Sequence, residues 1–331
     1  MKRKLKEKIG IAIKNLRLSK KMSQGELADK CSLDRTYISG VERGARNITI
    51  DSLEKIICYG LCLDINVFFS FVKNISLKRE SVVKYETFLH RREVVRSDGS
   101  KIAFDSKIFL SAIDKYNEKI KKLYGMDFDI ASLLGMRNLS AAVGELYVQS
   151  FAEASNGLFK KNPHQDGYPD LLLMDSLGLK AFSEIEKENL LQEKARFSPF
   201  KTGGVEVKAT CGAVLPPQKC NALNMKHPGL GDQRIDMLTG YDWKAHHRLT
   251  NNLIGLTWDF IDEVPVITSV QYSSQLTEDM WGKVVQPKKE GGRTTSVSIM
   301  NRKGVQAMYS GLVAVISDAK YKNFFIKYNK K

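Results

Sequence analysis

Two short stretches, Tyr-Pro-Asp-Leu-Leu-Leu at residues 168–173 and Gly-Val-Glu-Val-Lys at residues 204–208, decide how the larger part of this chain folds. The first predicts a buried β-strand, and the second predicts a strand that alternates apolar and charged side chains. Because side chains alternate across a strand, Glu206 and Lys208 are expected on one face, with the neighbouring valines on the other. Pairing of the two strands can therefore bring Asp170, Glu206 and Lys208 to one point.

Such a cluster suits the metal-assisted hydrolysis of a phosphodiester. Mg²⁺ prefers oxygen ligands, polarises a phosphate and lowers the pKa of bound water. A lysine beside it can orient that water and stabilise the negative charge that develops. Taken singly, each motif has a plainer explanation, because Pro-Asp often begins a turn and Glu-x-Lys often lies on a solvated face.

The surrounding sequence mixes helices and strands. Residues 106–124 predict a helix, and residues 139–154 predict another, which carries Glu145. A polar helix is expected near residues 182–196. Further strands are predicted at residues 252–260, 264–272 and 296–300. This order predicts an α/β (mixed α+β) domain with a central mixed sheet flanked by helices.

Composition limits the class of partner. The chain has 331 residues, enough for about two domains, and its net charge of +15 with pI ≈ 9.4 favours a polyanionic partner. The sequence has neither an apolar run of the roughly 20 residues that span a membrane nor a secretory signal. Five scattered cysteines favour reduced thiols, and we expect a cytoplasmic protein without membrane contact.

The N-terminal region predicts a small all-helical unit. Apolar residues recur with helical spacing from Ile9 to Leu16, and Ser23 with Glu26 forms a capping box that starts a second helix. A third helix is expected from Asp34 to Gly44, and Thr49 is a plausible cap for a fourth. Two short helices joined by a tight turn in a basic segment favour a helix-turn-helix.

The motifs Ser23-Gln24-x-Glu26-Leu27-Ala28 and Tyr37-Ile38-Ser39-x-x-Glu42-Arg43-Gly44 resemble the Cro/C1-type (XRE) family of DNA-binding domains. The resemblance implies that Gln24 contacts phosphate from a helix N-terminus. It also implies that the recognition helix and its end meet the DNA through Arg35, Thr36, Tyr37, Ser39 and Arg43. Ser32 stands where the family usually has a glycine in the turn.

A helix, an Asp-bearing strand and a Glu-x-Lys strand, in this order, resemble PD-(D/E)XK nucleases, which are most familiar among type II restriction endonucleases and include ApaLI-like members. The resemblance implies that Asp170, Glu206 and the Val207 carbonyl bind Mg²⁺ and that Lys208 is catalytic. It matches Glu145 to the acidic residue of the preceding helix. Asp166 and Asp175 are the nearest substitutes for Asp170.

We therefore predict a Cro/C1-type domain at residues 1–72, a linker with leading elements at 73–105 and an endonuclease domain at 106–331. The predicted activity is sequence-specific, Mg²⁺-dependent cleavage of double-stranded DNA to 5′-phosphate and 3′-hydroxyl ends. A homodimer fits palindromic sites, and a cognate DNA methyltransferase is expected in the same system. A loop that includes Arg293 and Thr294 is a further candidate for DNA contact.

Other functions stay open. The chain could be a transcriptional regulator whose C-terminal domain senses a ligand or dimerises without catalysis. It could also be a repair nuclease that recognises DNA structure, although a fused sequence reader argues against that. A ribonuclease is less favoured, because a helix-turn-helix suits the grooves of B-form DNA.

Overall fold

The chain divides into two units, Met1–Val82 and Val83–Lys331. The computed structural model describes residues 2–74, 83–124, 130–241, 243–245, 248–262, 264–286 and 297–329.

The first unit is helical, as predicted. Its α-helices are α1 (Lys2–Ser19), α2 (Gln24–Cys31), α3 (Arg35–Glu42), α4 (Ile50–Glu54) and α5 (Ile65–Asn74). A π-helical turn, Lys55–Gly60, continues α4. The predicted apolar face of α1 is buried together with Leu27, Ile38 and Phe68, and these residues form one core. Helical spacing of apolar residues therefore predicted this unit correctly.

Helix α5 presents apolar side chains to solvent as well as to the core. Val67, Phe69 and Phe71 are 49%, 41% and 48% exposed. Among the residues that the structure describes, no single helix is long and apolar enough to cross a membrane. The bent pair Ile50–Gly60 and Ile65–Lys73, at 104° to each other, could do so by length and composition only.

The second unit contains thirteen strands and seven α-helices among its described residues. The helices are α6 (Lys107–Tyr124), α7 (Ile130–Ala154), α8 (Ser176–Lys187), α9 (Lys194–Phe197), α10 (Pro217–Ala222), α11 (Arg302–Ser310) and α12 (Ala319–Asn329). The strands are β1 (Tyr85–Thr87), β2 (Arg92–Val95), β3 (Lys101–Phe104), β4 (Phe159–Lys161), β5 (Leu171–Leu173), β6 (Gly204–Thr210), β7 (Ala213–Val214), β8 (Leu238–Gly240), β9 (Lys244–Ala245), β10 (Leu253–Ile261), β11 (Val264–Ser273), β12 (Ser298–Ile299) and β13 (Leu312–Ile316).

Seven of these strands form the central sheet, in the order β1-β13-β11-β10-β6-β5-β4. Strands β6 and β10 are parallel, and every other neighbouring pair in this sheet is antiparallel. The sheet is mixed, as predicted, and β5 and β6 lie side by side near one edge. Strand β1 pairs with β13, so residues 83–105 are the leading elements of this unit.

The two faces of the sheet are covered differently. Helices α6 and α7 pack against the face that carries Leu171, Leu173, Val205 and Val207. On the opposite face, Leu172 packs with residues of α8 and α9. Because side chains alternate, Glu206 and Lys208 lie on the face away from α7.

The limits of some helices and strands differ from the predicted ones. Strand β5 covers only Leu171–Leu173, because Pro169 has no N–H to donate and the Asp170 N–H donates to the Glu206 side chain instead of to a neighbouring strand. The helix expected at residues 182–196 is two helices, α8 and α9, and Asp175 caps the first by accepting a hydrogen bond from the Gly178 N–H. The segment Ile130–Ala154 is interrupted at Gly135, whose φ of 64° and ψ of 171° are not helical, so the helix that carries Glu145 begins after Gly135, near the predicted residue 139.

Candidate functional site

The turn of the helix-turn-helix forms as its sequence predicts. The Ser23 hydroxyl accepts from the Glu26 N–H at 3.1 Å, and the Ser23 N–H donates to the Glu26 carboxylate at 2.6 Å. Ser32 has φ 52° and ψ 44°, a left-handed conformation that favours glycine. The chain therefore makes this turn with a serine in the left-handed region, at a cost of about 1 kcal/mol relative to glycine.

Helix α3 carries most of the predicted DNA contacts. Asp34 caps it by accepting from the Thr36 and Tyr37 N–H groups, and the Thr36 hydroxyl also donates to Asp34. The Arg43 guanidinium donates to the Ser39 hydroxyl at 2.6 Å. Arg35 is exposed at the first position of the helix. The helix thus presents the Arg35 cation at its start. The hydroxyl groups of Thr36 and Ser39 are oriented by their hydrogen bonds to Asp34 and Arg43.

Two features of this surface were not predicted. Gln24 donates to the Glu42 carboxylate at 2.7 Å, so its side-chain amide is engaged within the unit. Arg46 lies over the Tyr37 ring, 5.7 Å from its centroid, and packs against Gly40. Arg46 could have been proposed as a DNA contact from the sequence, because it lies in the basic segment that follows α3.

The second candidate site lies where β5 and β6 pair. Leu171 is opposite Val205 in this antiparallel ladder, which places Asp170 beside Glu206. The Asp170 N–H donates to Glu206 Oε2 at 3.3 Å, and the Val207 N–H donates to Asp170 Oδ2 at 2.8 Å. Lys208 Nζ is 2.5 Å from Glu206 Oε1 and 3.8 Å from Asp170 Oδ2. The structure therefore brings together the three residues predicted from strand periodicity.

The cluster is only partly accessible to water. The side chains of Asp170 and Lys208 are 27% and 25% exposed, and that of Glu206 is 9% exposed. Burial, reinforced by the negative charge of Glu206, raises the pKa of Asp170 to about 7. Burial lowers the pKa of Lys208, but the Glu206 and Asp170 carboxylates outweigh it, so the net shift is upward. Two carboxylates thus share one ammonium group in a poorly solvated place.

Tyr168 lies next to this cluster and was not among the predicted residues. Burial raises its pKa to about 12, and the charges of Glu206, Lys208 and Asp170 also act on its hydroxyl. The Pro169-Asp170 pair matches a known motif, whereas a tyrosine before that pair belongs to no motif that predicts a functional site.

Other predicted residues lie outside the cluster. Glu145 is 61% exposed and pairs with Lys161 at 2.7 Å, because α7 packs on the opposite face of the sheet. Its charge still contributes to the raised pKa of Asp170, and its catalytic role stays a prediction. Within the described ranges, no three carboxylate, imidazole or thiol side chains converge on one point.

The two substitutes for Asp170 are placed elsewhere. Asp175 forms an ion pair with Arg96 at 2.6 Å, and Asp166 is 72% exposed, 3.9 Å from Lys194. Arg293 and Thr294 lie outside the described residues. Asp170 is therefore the aspartate of this region that meets Glu206 and Lys208.

The raised pKa of Asp170 leads to a prediction for the metal-free protein. A carboxyl group with a folded-state pKa near 7, against an ordinary value of 3.8, adds stability at low pH that is lost as the pH rises through 7. We expect Asp170→Asn to raise the melting temperature in EDTA by roughly a few degrees at pH 8. The gain should shrink towards pH 4.

Thermal unfolding at both pH values measures this effect, with the exposed Asp166→Asn as the matched control. A lower melting temperature for Asp170→Asn at pH 8 would contradict the predicted electrostatics.

Comparison with known proteins finds similarity in the helix-turn-helix part of the chain. The helix-turn-helix family matches residues 13–59. Control protein C.BamHI of Bacillus amyloliquefaciens is 54% identical over 48 residues, which are 14% of this chain and 59% of that protein. Control protein C.MunI of a Mycoplasma species is 39% identical over 70 residues, which are 21% of this chain and 93% of that protein.

A solved structure is similar over the same share of the chain. It is the restriction-modification controller protein C.Esp1396I, a tetramer in complex with its natural 35 base-pair operator. It is 51% identical and covers 20% of this chain and 88% of its own, with a TM-score of 0.20. This chain spans only 59% of C.BamHI and 38% of a hypothetical transcription factor of Neisseria meningitidis that is 52% identical over 40 residues.

Proposed function

Because this chain belongs, through its helix-turn-helix unit, to the family of restriction-modification control proteins, we propose that it binds double-stranded operator DNA and regulates a restriction-modification gene. The similarity to C.BamHI and C.MunI favours this regulatory role over other functions of the N-terminal unit. The cap of α3, the exposed Arg35 and the nearby Arg43 and Arg46 suit insertion into a DNA groove with flanking phosphate contacts.

Arg35 is the residue best placed for a base contact in this proposal. Arginine pairs bidentately with guanine, and loss of such a pair costs about 1–3 kcal/mol. We expect Arg35→Ala to weaken binding to a duplex selected from a random pool by the wild-type chain about tenfold or more. Gel retardation at fixed salt measures the effect, and Lys20→Ala, an exposed lysine beyond α1, is the matched control. Equal affinity of Arg35→Ala and wild type would exclude this contact.

For the second unit, we propose a divalent-metal-dependent DNA endonuclease activity. The observation that carries this proposal is the convergence of Asp170, Glu206 and Lys208 across two paired strands. An ordinary solvated Glu-x-Lys face does not explain it, because the Glu206 side chain is 9% exposed and meets a second carboxylate. Burying two carboxylates together is unfavourable unless cations offset their repulsion, and Lys208 supplies one positive charge against two negative ones.

The donor set fits Mg²⁺. Asp170 and Glu206 supply carboxylate oxygens and Val207 a backbone carbonyl, and all three are hard oxygen ligands. When bound, the ion would supply Lewis acidity at the scissile phosphate. Lys208 would donate hydrogen bonds to the attacking water or to a phosphate oxygen and stabilise the charge that develops there. The low exposure of the site strengthens each of these interactions.

The principal alternative is a regulator whose second unit is not catalytic. The similarity of the chain to control proteins supports it, since those relatives match the helix-turn-helix part alone. In that case the Asp170–Glu206–Lys208 cluster would serve stability or ligand binding, and substitution of its members would leave DNA regulation unchanged.

We also propose a cytoplasmic homodimer that acts beside a cognate methyltransferase. A two-fold dimer presents two identical helices to the two halves of a palindromic operator. The exposed apolar side chains Val67, Phe69 and Phe71 of α5 offer a surface for self-association.

Incubation of the purified chain with unmethylated phage DNA and Mg²⁺ tests the catalytic proposal. Discrete fragments would support a sequence-specific endonuclease, and a smear would favour a nonspecific or structure-specific nuclease. Intact DNA at all metal concentrations would exclude the nuclease function. If a selected duplex is also tightly retarded, the regulatory function is the one that the experiment supports.

A further inference from the structure

We infer that Asn162 is a positioning residue that sets the geometry of Asp170 and Glu206, an inference that rests on the proposed nuclease function. Asn162 follows the edge strand β4 directly and is 6% exposed. Its N–H donates to the Asp170 carbonyl at 2.9 Å, which extends the β4–β5 ladder by one residue pair. The residue thus lies beside the aspartate of the proposed metal site without belonging to the site.

The side-chain amide of Asn162 is fully engaged. Its Nδ2 donates to the Pro169 carbonyl at 2.9 Å and to the Phe197 carbonyl at 3.1 Å. Its Oδ1 accepts from the His164 N–H at 3.0 Å. A buried amide with these three bonds holds together the end of β4, the loop that follows it and the end of α9.

The bond to Pro169 reaches the carboxylates through one rigid peptide unit. In a trans peptide the carbonyl and the next N–H share a plane and point in opposite directions. Asn162 fixes the Pro169 carbonyl, so it also fixes the direction of the Asp170 N–H, which donates to Glu206 Oε2 at 3.3 Å. A change at Asn162 is therefore transmitted to both proposed metal ligands.

Gly167 shows how tightly the loop is packed on this amide. A Cβ at Gly167 would lie 2.3 Å from Asn162 Nδ2 and 2.4 Å from its Cγ and Oδ1. Gly167→Ala would thus displace the amide without removing it. Substitution at either residue should disturb the same peptide unit.

The affinity of the full chain for Mn²⁺, measured from the electron paramagnetic resonance signal of the free ion, tests this inference. Thermal unfolding of the same variants shows whether they are folded. We expect Asn162→Ala and Gly167→Ala each to weaken Mn²⁺ binding about tenfold, as is usual for residues that orient metal ligands. Asn301→Ala is the matched control, because Asn301 caps α11 and donates to the Asp279 carbonyl at 2.6 Å. It should lower the melting temperature and leave Mn²⁺ affinity unchanged.

Wild-type affinity for Mn²⁺ in a folded Asn162→Ala or Gly167→Ala variant would overturn the inference and leave a purely structural role. If Asn162→Ala fails to fold, Gly167→Ala alone decides in the same way. No Mn²⁺ binding by the wild-type chain would overturn the proposed nuclease function and this inference with it.

Discussion

Under the proposed nuclease function, the Lys208→Met variant is expected to cleave DNA about 10²–10³-fold more slowly than the wild type at saturating Mg²⁺. Methionine keeps the unbranched apolar stem and removes the ammonium group that lies 2.5 Å from Glu206 and 3.8 Å from Asp170. The loss falls on the transition state, because a fixed cation stabilises the charge that develops on phosphate oxygens. Single-turnover cleavage of a labelled fragment measures the rate.

A control variant and a DNA-binding assay distinguish a catalytic role of Lys208 from a general loss of folding. Lys201→Met changes an exposed lysine in the turn before β6 and should cleave at the wild-type rate. Retardation of a selected duplex should be unchanged in Lys208→Met, because α3 belongs to the other unit. Cleavage by Lys208→Met at the wild-type rate would show that this lysine has no catalytic role.

The second large effect concerns the helix-turn-helix unit. Arg17 at the end of α1 makes a bidentate ion pair with Glu42 at the end of α3, with distances of 2.6 and 2.9 Å. The two side chains are 7% and 2% exposed. Removing one partner of such a pair leaves a buried charge and costs about 3–5 kcal/mol. A unit of this size has little more stability than that in total.

We therefore expect Glu42→Ala to abolish the unfolding transition of the first unit and the retardation of the duplex selected by the wild-type chain. Calorimetry of the full chain should still show the transition of the second unit. Glu54→Ala, at an exposed position of α4, is the matched control.

The double variant Arg17→Met/Glu42→Leu should recover much of the lost stability, since it removes both charges. A wild-type melting profile for Glu42→Ala would mean that the Arg17–Glu42 pair contributes little.

Sequence reasoning succeeded where the chemistry is local. The capping box of Ser23 and Glu26 is visible because its partners are three positions apart, and α3 begins beside Asp34, where the sequence predicts its start. The alternation of Val205 to Lys208 placed the charged pair on one face without knowledge of the sheet.

Sequence reasoning failed where contacts join distant segments. Arg17 and Glu42 are 25 positions apart, and no periodicity links them. The pairing of Glu145 with Lys161 depends on which face α7 covers. The role of Asn162 depends on the path of the loop that returns to Pro169.

The alternation of β6 has a consequence for chains that fold incorrectly. A slip of one residue between β5 and β6 would turn Glu206 and Lys208 towards the apolar layer under α6 and α7 and send the valines to the other side. Such a conformer would bury charge at a cost of several kcal/mol, and it would separate Glu206 and Lys208 from Asp170. The charged pair of the proposed metal site therefore also selects the native pairing of β5 with β6 during folding.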